Sequence, residues 1–326
     1  GYGNNLKVVR PITGMVNAAV SGTAILIKNT TDYLDNYSSA ASFAANVGAY
    51  AAREAGTLGN SLKISVCSNS TAFGPHSMSG NLVADASAAI GDTTISVDDG
   101  SLMQVGDILE FGDAAAVPST DGAPSGFYYK ITAISTNLLT IARFNPQTGV
   151  TETGGLRHAV VDNAKVLRHW EYYFNFGTPP TTTDDVSAAG GTLDELHIAV
   201  IDEDGAISGT TGTILETFAG VSQAHDAKTS NGASNYYPNV LYTQSKYIYW
   251  VDHLATLSDG LAKTGTTFDN SVGDAFVVSN TSLASGTDDF AATNAEIATA
   301  YEKFNDTENV DLSLLICGPS QTGADA

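Results

Sequence analysis

The chain has 326 residues, 43% of them hydrophobic, which is enough for a sizeable core and too long for one small domain. Lys and Arg number 14 against 35 Asp and Glu, a formal net charge of −21, and so acidic a surface repels phosphate backbones and argues against direct nucleic-acid binding. No run approaches the roughly 18 apolar residues of a membrane span, so no membrane insertion is expected, and the opening lacks the basic-then-apolar pattern of a targeting segment.

In chain order, Leu6, Val8 and Val9 predict a strand that Pro11 breaks. The "GYGNN" before it is glycine-rich, but a phosphate loop follows its strand rather than preceding it. Residues 38–55, "SSAASFAANVGAYAAREA", predict a helix. Phe43, Val47 and Tyr50 fall at i, i+4 and i+7, Ser38 or Ser39 can cap its start, and Gly56 can end it. A turn at Gly59-Asn60 then leads into a strand in which Leu62, Ile64 and Val66 alternate.

Residues 80–162 change character. Apolar residues alternate on either side of a turn at Asp98-Asp99-Gly100. Two short strands over 129–133 and 138–142 flank the turn Ser135-Thr136-Asn137. This pattern predicts an inserted small β-barrel or sandwich, with a flexible loop over 112–126.

Residues 165–275 read as α+β or mostly β. "ELHIAVIDEDGAISG" predicts a strand, a turn and a second strand, and "KYIYWVDH" another strand. Near the end, Ile297, Tyr301 and Phe304 repeat the helical spacing. Residues 310–317 then read as a strand covered on both faces. A helix feeding such a strand is half of an α/β unit, and the opening strand fits the same sheet. The expected fold is α+β and multidomain. It comprises a discontinuous α/β domain from the chain ends (1–12 and 287–326), a mixed α/β middle domain (13–79 and 163–286), and the β insert (80–162).

The charge is unevenly placed. Residues 1–170 hold 10 basic and 13 acidic residues, a net −3, whereas residues 171–326 hold 4 and 22, a net −18. Two readings stay open: a solvated acidic face that aids solubility, and a face that meets a basic partner. Cys67 and Cys317 each end an apolar run. Two thiols so far apart make no disulfide framework, and buried, reduced cysteines fit assembly in a cytosol.

Catalytic motifs are sparse. His76, His158, His169, His197, His225 and His253 show no zinc spacing. Asp202-x-Asp204-Gly205 has the start of a calcium loop, but Thr213 stands where its final Glu belongs, and a hairpin turn accounts for Asp204-Gly205. No nucleophile elbow, P-loop or other cofactor motif is present, so neither a cofactor nor a reaction is expected. The aromatic run "HWEYYFNFG" (169–177) suits core packing or an intersubunit patch better than sugar or base stacking.

Three stretches together resemble the tail sheath proteins of contractile-tailed bacteriophages. "YGNNLKVVRPI" is similar to the family's strand ending in Val-Val-Arg, where Arg10 matches. "AREAGTLGNSLKISV" is similar to its Pro-Gly-x-Trp-Gly-Asn turn and strand: Gly56, Gly59 and Asn60 match, with Ala55 for the Pro and Leu58 for the Trp. "LASGTDDFAATNAEIATAYEKFNDTENVDLSLLICGPS" resembles the Gly-Gly-x-Asp-Gly segment with its helix and strand. Asp288 matches there, and Ser285 and Asp289 replace glycines. A fourth stretch, "ELHIAVIDEDGAISGTTGTILETFAGVSQAHDA", resembles the sheath hairpin, bringing the likeness to roughly two-thirds of the chain.

The resemblance implies a structural subunit, with Arg10, Gly56, Gly59, Asn60 and Asp288 as structural motif residues. It implies stacked six-fold rings in a helical homo-oligomer around a tail tube, with a baseplate and tail terminator as further partners. It implies contraction that drives the tube through a host envelope, and a place in the virion after assembly in the host cytoplasm. It also implies that this chain is the central part of a longer subunit. The insert departs from the family, because it follows the Gly-Asn turn strand where many sheaths place their protruding domain before that turn. Two other classes stay open: a virion surface or baseplate protein whose β insert binds a host receptor or glycan, and a glycan-cleaving enzyme using a carboxylate such as Glu171.

Overall fold

The computed structural model describes residues 18–20, 25–27, 29–39, 48–78, 83–85, 87–112, 127–254, 257, 260–268, 278–288, 295, 298, 301 and 302. The expected strands over 6–9 and 310–317, Arg10, Cys317 and nearly all of the 112–126 loop lie outside these residues. Of the expected helix near the end, Ala295, Ala298 and Tyr301 are described and are helical.

In chain order come β1 (Ala18–Val20), α1 (Thr30–Asn36), β2 (Tyr50–Ala55), β3 (Leu62–Cys67), α2 (Ser70–Phe73) and β4 (His76–Ser77). Next are β5 (Ser87–Ala88), β6 (Thr94–Ser96), β7 (Ile108–Phe111), β8 (Tyr128–Ser135), β9 (Leu138–Asn145), β10 (Val150–Glu152) and β11 (Val160–Val161). Then follow β12 (Val166–His169), α3 (Asp184–Ala188), β13 (Glu195–Asp202), β14 (Thr213–Ser222), α4 (Tyr237–Gln244), β15 (Ile248–Trp250) and β16 (Val278–Ser282). The fold is mixed α/β with few helices and mostly antiparallel sheets.

The core sheet has the order β14-β13-β3-β16. Its middle strands are buried on both faces. Leu62, Ile64, Val66, Leu196, Ile198 and Val200 point into one apolar cluster, while Cys67, Ala199 and Ile201 point into another. The first cluster also takes Tyr50, Ala52, Ile248 and Trp250 from a second sheet, β1-β2-β15, together with Tyr237, Val240 and Leu241 of α4.

The helix expected over 38–55 is corrected at its end, where residues 50–55 are strand β2, at the centre of that second sheet; residues 40–47 lie outside the described residues. Tyr50 and Ala52 face the main cluster, while Ala51 faces the cluster of Ile27, Tyr33, Tyr249 and Val251. A strand squeezed between two packed layers favours small side chains, so tertiary packing overrides the helix propensity of alanine.

The third sheet runs β10-β9-β8-β7-β12-β4, with β6 paired to β9 beside β10. Its apolar face collects Ile95, Leu109, Phe111, Tyr129, Ile131, Leu139, Ile141 and Val166. The β8–β9 hairpin turns at Thr136-Asn137, with Thr136 at a φ of 54°, as the sequence pattern requires. The sheet is not closed into a barrel, which corrects that part of the expectation. The outer edge of β9 is shared between β6, which takes its first residues, and β10, which takes its last. Strand pairing also crosses both ends of 80–162, since β12 and β4 continue the same sheet.

Candidate functional site

The motif residues converge. After β2 the chain passes through Gly56, at a φ of 119°, a conformation that favours glycine. A 3-10 turn over Thr57–Ser61 follows, closed by the Leu62 N–H on the buried Gly59 carbonyl, and β3 begins. Asn60 donates its amide to the Gly286 carbonyl at 3.0 Å and accepts the Gly286 N–H at 2.7 Å. Asp288 accepts the Thr57 N–H at 2.9 Å, and the Thr57 hydroxyl donates to its other oxygen. The Thr57 hydroxyl and N–H hold the Asp288 carboxyl below its ordinary range. A Cβ on Gly286 would lie 2.2 Å from the Gly56 carbonyl oxygen, so the two segments touch backbone to backbone. Ser285, which replaces a family glycine, sits at a φ of 68°.

Gly56, Gly59, Asn60 and Asp288 thus form one clasp between segments more than two hundred residues apart. Sequence reading missed Thr57 and Gly286. The one signal for Gly286 was its place two residues before Asp288.

The acidic loop after β13 is a structural turn. The Asp202 carboxylate accepts the N–H groups of Gly205 at 3.1 Å, Ile207 at 3.0 Å and Ser208 at 2.6 Å. The Ser61 hydroxyl meets both Asp202 and Asp204. The second strand starts at Thr213, later than the sequence pattern suggested, because this capped loop fills 203–212. Among the described residues, no group of three His, Cys, Asp or Glu side chains could hold a metal ion.

The aromatic run lies between the core sheet and the third sheet. Trp170, Tyr172 and Phe176 are buried against Phe73, Cys67, Ala199 and Ile201, as core packing requires. Trp170 donates its indole N–H to Ser65 of β3 at 3.0 Å. Burial pushes the Cys67 thiol up to about 12, so it is inert at neutral pH. Phe174 turns the other way, toward His169, Tyr128 and Phe144, and Tyr173 lies between, its ring 4.8 Å from that of Phe73 and 4.6 Å from that of His169. Glu171, weighed as a catalytic carboxylate, meets Lys63 of β3 at 3.1 Å and Lys130 of β8 at 2.8 Å. Nearby, the fully buried Arg168 grips Asp107 with two bonds of 2.7 and 3.0 Å and donates to the Ala72 carbonyl at 3.1 Å.

Three of the described basic residues, Arg53, Lys63 and Arg168, are turned inward. The Arg53 guanidinium lies 4.2 Å from the centre of the Tyr249 ring and donates to the carbonyls of Leu241, Tyr242 and Ile248, closing the end of α4. Lys63 and Arg168 are held as above. Arg157 stays at the surface, paired with Glu152 at 3.2 Å, and Lys7 and Arg10 lie outside the described residues.

No helix among the described residues is long and apolar enough to cross a membrane. No protein-family model matches the chain, and a search of curated proteins finds no match either.

Proposed function

We propose that the chain is a structural subunit of a contractile bacteriophage tail sheath, with no reaction of its own. The observation that supports this most is the clasp. The described residues that carry the resemblance, Gly56, Gly59, Asn60 and Asp288, come from distant parts of the chain and meet in one small cluster held by hydrogen bonds. Residues that pin two segments together are packing residues, which suits a rigid building block. The partners are further copies of the chain, stacked as six-fold rings, and a tail tube, baseplate and tail terminator. A heterologous interface that does not close generates such a helix of copies. Contraction is then rigid-body repacking between two sets of interfaces, with the extended state held kinetically. The site of action is the virion, after assembly in the bacterial cytoplasm.

The test is electron microscopy of the full-length protein without added ligand. Long, wide tubes are expected. Dispersed particles under all conditions would overturn the reading, and specific capture of a host glycan by those particles would favour the receptor-binding alternative.

A further inference from the structure

The segment after β12 holds its two neighbours by different means. Toward the core sheet it buries three rings and one indole hydrogen bond. Toward the third sheet it offers the half-buried ring of Phe174 and the carboxylate of Glu171, while Tyr173 touches both sides through Phe73 and His169. Glu171 touches charged side chains of both sheets, Lys63 and Lys130. Exposures of 17%, 13% and 27% for Lys63, Glu171 and Lys130 leave room for water to replace these bonds. Gly106 makes the approach possible, since a Cβ there would lie 2.6 Å from a Glu171 oxygen. Other links lie at the root where β4 and β12 leave the core sheet, with Arg168 donating to the Ala72 carbonyl at 3.1 Å and the Trp170 N–H to the Phe73 carbonyl at 2.9 Å, and in a longer pair away from it, where Gln104 donates to the Val278 carbonyl at 3.4 Å and accepts the Asn280 amide at 3.2 Å.

We propose that Glu171 is the charge pin of a joint: its negative charge ties the third sheet to the core sheet, and neutralising it frees the third sheet to move as a body while both sheets stay folded. The inference stands on this geometry and does not rest on the sheath reading. The groups that face Glu171 are Lys63 from β3, Lys130 from β8, Asp107 ahead of β7, and the neighbouring Tyr172 hydroxyl. Burial pushes the Glu171 carboxyl up, but Lys130 and Lys63 together outweigh it and hold the group below the ordinary glutamate range. A carboxylate held low contributes fully above its unfolded value and loses that contribution as pH falls through its folded value. The pin is therefore set at neutral pH and released in acid.

The test is a spin-label distance between exposed positions on the two bodies, Gln147→Cys and Ser230→Cys, in the full-length protein with Cys317→Ser. Cys67 is buried and stays unlabelled. The parent protein should give one narrow distance at neutral pH that broadens in acid. Glu171→Gln should lose the narrow distance at neutral pH, with Cys67 still protected from alkylation. Lys130→Gln, a milder change at a more exposed site, should broaden it too, and it carries the test if Glu171→Gln fails to fold. A distance in the variants as narrow as in the parent would overturn the proposal. So would broadening accompanied by exposure of Cys67, since the core would then have opened with the joint.

Discussion

The joint beside Arg168 and the clasp at 56–60 both use polar groups to hold residues far apart in sequence, yet they differ in burial. Arg168 and Asp107 are 0% and 3% exposed, so neither charge has water to fall back on. Asp288 and Thr57 lie at the surface, where water replaces a lost partner. The same kind of bond should therefore be costly to break in one place and cheap in the other.

The sharpest way to break the comparison is Asp107→Ala. It leaves the Arg168 charge buried without its carboxylate and should destabilise the fold by about 3–5 kcal/mol in chemical denaturation. Replacing both partners, Asp107→Leu with Arg168→Met, should recover much of that loss, because the desolvation cost goes with the charges. A double variant as unstable as the single one would mean the pair is needed for its shape rather than its charge balance.

In the clasp, Gly286→Ala should cost roughly 1–3 kcal/mol, because its methyl group meets the Gly56 carbonyl and forces the segments apart. Thermal melting against the parent reads this directly. Ser285→Gly should act in the opposite direction, gaining on the order of 1 kcal/mol by relieving a side chain held at positive φ. Gly286→Ala without effect, or Ser285→Gly with a loss, would show that the segments do not meet as described.

Asp288→Asn should have the smallest effect. The carboxyl is held low, so its contribution is complete above its unfolded value and fades as pH falls through its folded value. The variant should therefore differ from the parent near neutral pH and converge with it in strong acid. A difference that grows toward acid would contradict the Thr57 contacts.

The sequence shows some of these regions better than others. Alternation identified β3 and the β8–β9 hairpin, and an aromatic, apolar run identified β15, because large apolar side chains mark the face that each turns to a core. It failed at 50–55, where small residues serve a strand packed on both faces and mimic a helix. The clasp was partly legible through its resemblance to a known turn, which brought out Gly56, Gly59, Asn60 and Asp288 but not their mutual contact. The joint was not legible. Arg168 and Asp107 sit 61 residues apart, and Glu171 meets lysines 108 and 41 residues away, with no local pattern to announce either pairing. Within 80–162 the hairpin strands were visible, but the way the sheet edges meet was not, because strand spacing carries no information on it.

The inward use of Arg53, Lys63 and Arg168 bears on assembly. With these cations occupied inside the fold, a chain of net −21 has few left to offset the repulsion between copies that the proposed sheath would bring together. Raising salt shortens the reach of that repulsion from about 10 Å at 0.1 M to about 3 Å at 1 M. The most direct measurement is sedimentation of the full-length protein across a salt series at neutral pH, with the pellet imaged. The account predicts little pelleting at the lowest salt, a rise as salt increases, and wide tubes in the pellet. A protein that stays dispersed throughout, or tubes that dissolve steadily as salt rises, would contradict it.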